Sequence, residues 1–201
     1  MHKTTIGKIT DVEYKHNSEL YPYDPTKTDI DIRENPYSIY ELLRRYKDGR
    51  IIANPELQKK SWTTPKKSYF IESIILGFPL SPFYVSQTRE GKLIIIDGLQ
   101  RMAALNEFTT DKFRLTRLKA LKYLNGKNFT DLKKMPGAYQ VKIEDRKLIL
   151  YVLKPSTDMI VINDLLRRVN IGGKALNETE LQTIIETGRR KSVEMLGKEN
   201  R

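Results

Sequence analysis

The sequence predicts an α+β fold, a small mixed sheet with surrounding helices. Segments with apolar residues at helical spacing alternate with short β-branched runs. Two such runs, 83–87 and 92–96, flank Arg89-Glu90-Gly91, which predicts a hairpin. Strand–helix–strand units of regular length are missing, which disfavours a doubly wound parallel sheet.

Local signals divide the 201 residues into three parts. Residues 1–34 are a polar N-terminal arm with one short strand near Ile30–Ile32. Asn35-Pro36 then predicts a helix start, with Asn as the cap and Pro at the first helical position. The main domain spans 35–187, and 188–201 is a charged C-terminal tail or the start of a further region.

Capping residues and chain breakers predict the remaining elements. Gly49, Gly77 and Gly188 mark helix ends, and Thr64-Pro65 marks a helix start. The predicted strands are 51–52, 83–87, 92–96, 113–115 and 147–153; the predicted helices are 36–48, 64–76, 99–108, 159–170 and 177–188.

Composition excludes several classes of chemistry. There is no cysteine, which rules out disulfides, zinc–thiolate sites and thiol catalysis. The two histidines, His2 and His16, lie in the polar arm, so histidine-dependent nucleases and Ser-His-Asp hydrolases have no base here. No apolar run approaches the roughly 20 residues of a membrane span, and Met1–Thr5 lacks a secretory signal, so we expect a cytoplasmic location.

The charge balance favours a polyanionic partner. Lys and Arg exceed Asp and Glu by 11, and the pI is about 9.6. A solvated surface explains any single basic cluster, but their sum makes a nucleotide or DNA a reasonable partner.

The segment 92–105 is the centre of the chain. Its apolar run predicts a buried strand, Asp97-Gly98 predicts a sharp turn, and Met102, Leu105 and Phe108 then share one helix face. Gln100 and Arg101 therefore lie at the start of a helix, where anions bind.

Arg101 has two interpretations at this point. An Arg in the first turn opposes the helix dipole, and a bound phosphate would resolve that conflict. Alternatively, Arg101 pairs with Asp97 and ties the turn down.

Three blocks, in order, resemble the DGQQR-motif family of the ParB/sulfiredoxin-like superfamily. The first is P-E-L-Q-K-x-x-W at 55–62, followed by F-I-E-S-I-I-L-G-F-P-L-S-P at 70–82. The second is I-D-G-L-Q-R-M at 96–102, and the third is L-R-R-V-N-x-x-G-x-x-L-x-x-x-E-L at 166–181. The family forms the N-terminal half of GmrSD-type restriction enzymes.

The resemblance implies a ParB/sulfiredoxin-like nucleotide-binding domain that hydrolyses nucleoside triphosphates to control DNA cleavage. A separate histidine-containing nuclease domain usually cuts the DNA in such enzymes. Leu99 stands where the family has its first Gln, and Lys59 stands where it has Arg, which keeps the charge but loses the guanidinium fork.

The resemblance also suggests roles around the phosphates. Asp97 would hold Mg²⁺ or act as a helix cap, and Gln100 would orient the attacking water or serve as a structural amide. Arg101 would bind phosphate at the Gly98–Arg101 turn. We expect Arg101→Ala to abolish phosphate release without unfolding the protein.

Further contacts are expected from the other two blocks. Gln58 and Lys59 would approach the same phosphates, although Lys59 also fits a solvated lysine pair. Arg168 and Asn170 would contact phosphate or ribose, although a cation at a helix C-terminus is favoured by the dipole alone. Glu72 is interpreted as a surface or supporting carboxylate.

Three functions remain open on the sequence alone. The first is a Mg²⁺-dependent nucleoside triphosphatase that regulates DNA cleavage, partnered by a histidine-dependent nuclease. The second is a nucleotide- or DNA-binding switch without turnover. The third is a basic DNA-binding domain with no nucleotide site.

Overall fold

The computed structural model describes residues 31–53, 61–169 and 178–199. These ranges contain a mixed sheet with helices packed on it, which confirms the α+β prediction; the ParB/sulfiredoxin-like assignment stays a prediction. The strands are β1 (Ile32–Ser38), β2 (Ile51–Ile52), β3 (Phe83–Gln87), β4 (Leu93–Asp97) and β5 (Lys147–Leu153); the helices are α1 (Ile39–Lys47), α2 (Thr64–Leu76), α3 (Leu99–Thr109), α4 (Phe129–Lys134), α5 (Tyr139–Glu144), α6 (Met159–Val169) and α7 (Glu178–Glu199).

The sheet order is β1-β5-β3-β4-β2. β1 is antiparallel to β5 and β3 is antiparallel to β4, whereas β5–β3 and β4–β2 are parallel pairs. The predicted β3–β4 hairpin is therefore present. Because β3 and β4 are joined by a tight turn, the start of β3 at Phe83 and the end of β4 at Asp97 lie side by side at the opposite end of the sheet.

Strand β4 is buried on both faces. Leu93, Ile94, Ile95 and Ile96 are all buried, as the continuous apolar run predicted. On one face α7 approaches so closely that a Cβ at Gly188 would lie 2.8 Å from Ile94. The sequence predicted a helix end at Gly188, but α7 continues through this residue to Glu199. A glycine at this position inside the helix permits the close packing on β4.

The predicted helix start at Asn35-Pro36 was wrong. Both residues lie in β1, where Asn35 is opposite Leu150 and Pro36 is opposite Ile149 of β5. Pro is tolerated because β1 is an edge strand. The helix begins later, with Ser38 as its cap, whose hydroxyl accepts a hydrogen bond from the Glu41 amide at 3.1 Å. Pairing with a strand over 100 residues away overrides the local signal.

Glu72 is buried, not at the surface. Its Oε1 accepts hydrogen bonds from the amides of Ala120 (2.9 Å) and Leu121 (2.8 Å). Ser68 similarly accepts one from the Thr116 amide at 3.0 Å. The predicted strand at 113–115 is absent, and residues 116–121 after it form a loop that these α2 side chains hold. No helix in the described ranges combines the length and apolarity needed to cross a membrane.

We expect Glu72→Gln to lower the free energy of unfolding by about 1–3 kcal/mol, because the amide replaces charge-assisted acceptors with one neutral acceptor. Urea denaturation measures this change. Glu34→Gln, at an exposed position on β1, is the matched control and should change it by less than about 0.5 kcal/mol. Equal effects for the two variants would show that Glu72 does not anchor the 116–121 loop.

Candidate functional site

The candidate site is the DGLQR turn, residues 97–101, between β4 and α3. Gly98 has a φ of 101°, in the left-handed region. A Cβ at this position would lie 2.5 Å from the ring of Phe83, so only glycine fits. The turn is thus built on a backbone conformation and a close contact that both require Gly98.

Arg101 ties this turn to the segment that precedes β3. Its Nη1 donates to the Ser81 carbonyl, and its Nη2 donates to the Pro82 carbonyl at 2.9 Å. Nη2 also donates to Asp97 Oδ2 at 2.8 Å. The guanidinium carbon lies 4.4 Å from the centre of the Phe83 ring. One side chain therefore joins the end of β4, the start of β3 and the first turn of α3.

These contacts match the turn-tying interpretation of Arg101. The side chain is 12% exposed, and the Asp97 side chain is 27% exposed. Burial lowers the pKa of the Arg101 guanidinium, while the Asp97 carboxylate opposes that shift. A guanidinium remains protonated at neutral pH, so the buried charge is balanced by Asp97 and two carbonyl dipoles. Phosphate binding by Arg101 stays a prediction.

Gln100 also has a structural partner. It is buried, and its Oε1 accepts a hydrogen bond from the Trp62 amide at 2.9 Å. Leu99, at the position of the family's first Gln, is fully buried. The side-chain amide at 100 therefore links the turn to the segment before α2, and the side chain at 99 belongs to the core.

The remaining predicted site residues are Gln58, Lys59, Arg168 and Asn170. Gln58, Lys59 and Asn170 lie outside the described residues. Arg168 is exposed on α6, where its Nε donates to Asp164 Oδ2 at 3.0 Å.

The sequence indicated Asp97 as a partner of Arg101 but not the two other groups that accept hydrogen bonds from it. Ser81 and Pro82 contribute through backbone carbonyls, which no side-chain pattern reveals, although both belong to the first matched block. Tyr84 is also close, since it is paired with Asp97 across β3 and β4. Burial raises the pKa of the Tyr84 hydroxyl, with smaller contributions from Tyr151 and Asp97.

The described residues offer limited support for a metal. They contain no group of three or more His, Cys, Asp or Glu side chains placed to hold an ion. Asp97 is a single carboxylate, which suits Mg²⁺ only where nucleotide phosphates and water supply the remaining oxygens. Asp97 could therefore supply one oxygen ligand to a Mg²⁺ ion whose other ligands come from the nucleotide and water.

Arg101→Ala should lower the free energy of unfolding by about 2–4 kcal/mol, because it leaves Asp97 and two carbonyls without their donor. The expectation that Arg101→Ala loses phosphate release without unfolding stays a separate prediction. The free energy of unfolding of Arg101→Lys should lie between those of the wild type and Arg101→Ala, because an ammonium group keeps the charge but cannot donate as a guanidinium fork. Arg167→Ala, at an exposed position on α6, is the control in the same denaturation series. If Arg101→Ala is as stable as this control, the fastening role is refuted.

Comparison with known proteins identifies the family to which the chain belongs. The family model described as GmrSD restriction endonuclease, N-terminal domain, matches residues 39–183. No curated protein and no solved structure matches the chain. The matched range contains the hairpin, the DGLQR turn and the whole of the third block. The chain therefore belongs to the family of N-terminal domains of GmrSD restriction endonucleases.

Proposed function

We propose that this domain binds a nucleoside triphosphate at the DGLQR turn and, by hydrolysing it, regulates DNA cleavage. Membership in the family gives the domain a role in a restriction system. The nucleotide and its hydrolysis are the parts that we add.

One observation carries the nucleotide proposal: α3 begins without a side-chain cap. Its cap position is Gly98, and its first turn contains no acidic residue. The amides of a helix start carry partial positive charge and favour an anion. Helix α3 has 11 residues, and their aligned peptide dipoles add to the positive charge at its N-terminus. A phosphate placed against the turn would supply the acceptors that no side chain provides there.

The proposed roles combine the described side chains of the turn with the residues that the matched blocks suggest. Mg²⁺ would neutralise charge on the phosphates and would take one oxygen from Asp97. Arg101 holds the turn in shape and adds positive charge behind it. Gln100 would orient the attacking water, and Gln58, Lys59, Arg168 and Asn170 remain proposed phosphate or ribose contacts. Hydrolysis then converts the triphosphate and water into a diphosphate and inorganic phosphate.

A nucleotide switch without turnover is the second candidate, and two observations favour it. Leu99 replaces a glutamine and is fully buried, so it offers no hydrogen bond to water or phosphate. Asp97 Oδ2 is already engaged by Arg101 at 2.8 Å, which competes with a metal. A DNA substrate and a companion nuclease fit either candidate, and the excess of 11 positive charges fits contact with DNA.

The test combines phosphate release with thermal protection of the full chain by Mg²⁺ and each nucleoside triphosphate. At a nucleotide concentration of about 100 times Kd, the melting temperature should rise by about 5–10 °C. Asp97→Asn should reduce this rise and stop phosphate release, because it removes the carboxylate charge that would bind Mg²⁺. Asp145→Asn, at an exposed position, is the matched control.

Each outcome selects one account. Protection with release supports hydrolysis, and protection without release supports the switch. No protection by any nucleotide would contradict both and leave a DNA-binding domain without a nucleotide site.

A further inference from the structure

A second charged feature lies at the other end of the sheet from the DGLQR turn. It is a cleft of about 480 Å³, which we call the basic cleft. Four of its lining residues are basic and come from β1, α1 and the residues just before β2 and β4: Arg33, Arg45, Arg50 and Lys92. Leu93 at the start of β4 also lines it, whereas the DGLQR turn follows the end of β4. The two features are therefore separated by the length of this strand.

The inner row of β1 supplies one wall of the basic cleft. Arg33, Asn35 and Tyr37 alternate along the strand and lie opposite Val152, Leu150 and Leu148 of β5. Those three β5 residues are buried. Tyr37 packs against the core, whereas Arg33 is exposed and Asn35 is half-buried, so polar groups line the rest of this row. The arrangement keeps this edge accessible to a polar ligand.

The positive charge of the basic cleft is only partly compensated. Arg45 is paired with Glu41 at 2.6 Å and lies over the ring of Tyr37. Arg33 and Arg50 are exposed and form no ion pair with any described residue. Two carboxylates also line the cleft, and one of them, Asp48, is paired with Arg44 at 3.2 Å. Positive charge therefore dominates, and two guanidinium groups have donors to offer.

The basic surface continues beyond this cleft. A neighbouring cleft of about 320 Å³ shares Gln87 and Glu90 with it and adds Arg89 and Arg189. Arg33 and Arg50 lie at the two outer strands of the five-stranded sheet. Four strand spacings separate those strands, about 19 Å. This span exceeds one triphosphate and corresponds to about five base-pair rises along the axis of a duplex.

We propose that the basic cleft binds the phosphate backbone of duplex DNA, with Arg33 and Arg50 as phosphate contacts. The assignment rests on the DNA partner of the proposed function, but it does not depend on nucleotide binding at the DGLQR turn. The contacts are to phosphates, so the cleft positions the DNA without reading its sequence.

The experiment measures binding of a fluorescent duplex DNA to the full chain over a range of salt concentrations. The test variant is Arg33→Gln with Arg50→Gln, and each single substitution is measured as well. The control is Arg117→Gln with Lys119→Gln, which removes the same charge from two exposed positions outside both clefts. Denaturation confirms that the variants are folded, and nucleotide protection is measured on the same samples.

The double cleft variant should bind DNA at least about tenfold more weakly and lose about two units of salt slope, because two phosphate contacts are removed. The control should retain wild-type affinity within about twofold. Nucleotide protection should be the same in all variants, which separates this proposal from the one for the turn.

Three results would overturn the proposal. Equal DNA binding by the cleft and control variants would show that only net charge matters. Loss of nucleotide protection with unchanged DNA binding would make the cleft a nucleotide site. Preferential displacement of the duplex by single-stranded RNA would assign the cleft to a different polyanion.

Discussion

The ion pair and carbonyl contacts of Arg101 are the constraint on which the candidate site depends. The guanidinium joins Asp97, Ser81 and Pro82, and it packs on Phe83. A cation in the first turn of a helix is normally unfavourable because it faces the positive end of the dipole. Here one carboxylate and two carbonyl oxygens offset that penalty. The turn is consequently held before any ligand arrives, which is the preorganisation that an anion site needs.

The molecule places its two candidate anion sites at opposite ends of one buried strand. The DGLQR turn follows β4, and the basic cleft begins where β4 starts. Because β4 is covered on both faces, each site is supported by the same rigid element. In this arrangement a nucleotide at one end and DNA at the other would not compete for the same residues.

Features with local causes could be predicted from the sequence. The hairpin, the strand at 147–153 and the helix that ends at Gly77 depend on nearby apolar patterns and chain breakers, and all three agree with the structure. The sharp turn at Gly98 and the buried face of α3 also follow from local patterns. The charged residues of the turn could likewise be named in advance.

Features that depend on distant pairing could not be predicted. The Asn-Pro step at 35–36 reads as a helix start, and only its pairing with β5 turns it into a strand. The burial of Glu72 depends on a loop nearly 50 residues later in the chain. Two of the three partners of Arg101 are backbone carbonyls, and the basic cleft joins β1 and α1 to the ends of β3, β4 and β5, which lie much later in the sequence.

A double-mutant cycle on Asp97 and Arg101 tests the central claim most directly. The free energy of unfolding is measured for Asp97→Ala, Arg101→Ala and the double variant. The account predicts a coupling energy of about 1–3 kcal/mol, because the two side chains belong to one network. Effects that add to within about 0.5 kcal/mol would show that the pair does not hold the turn.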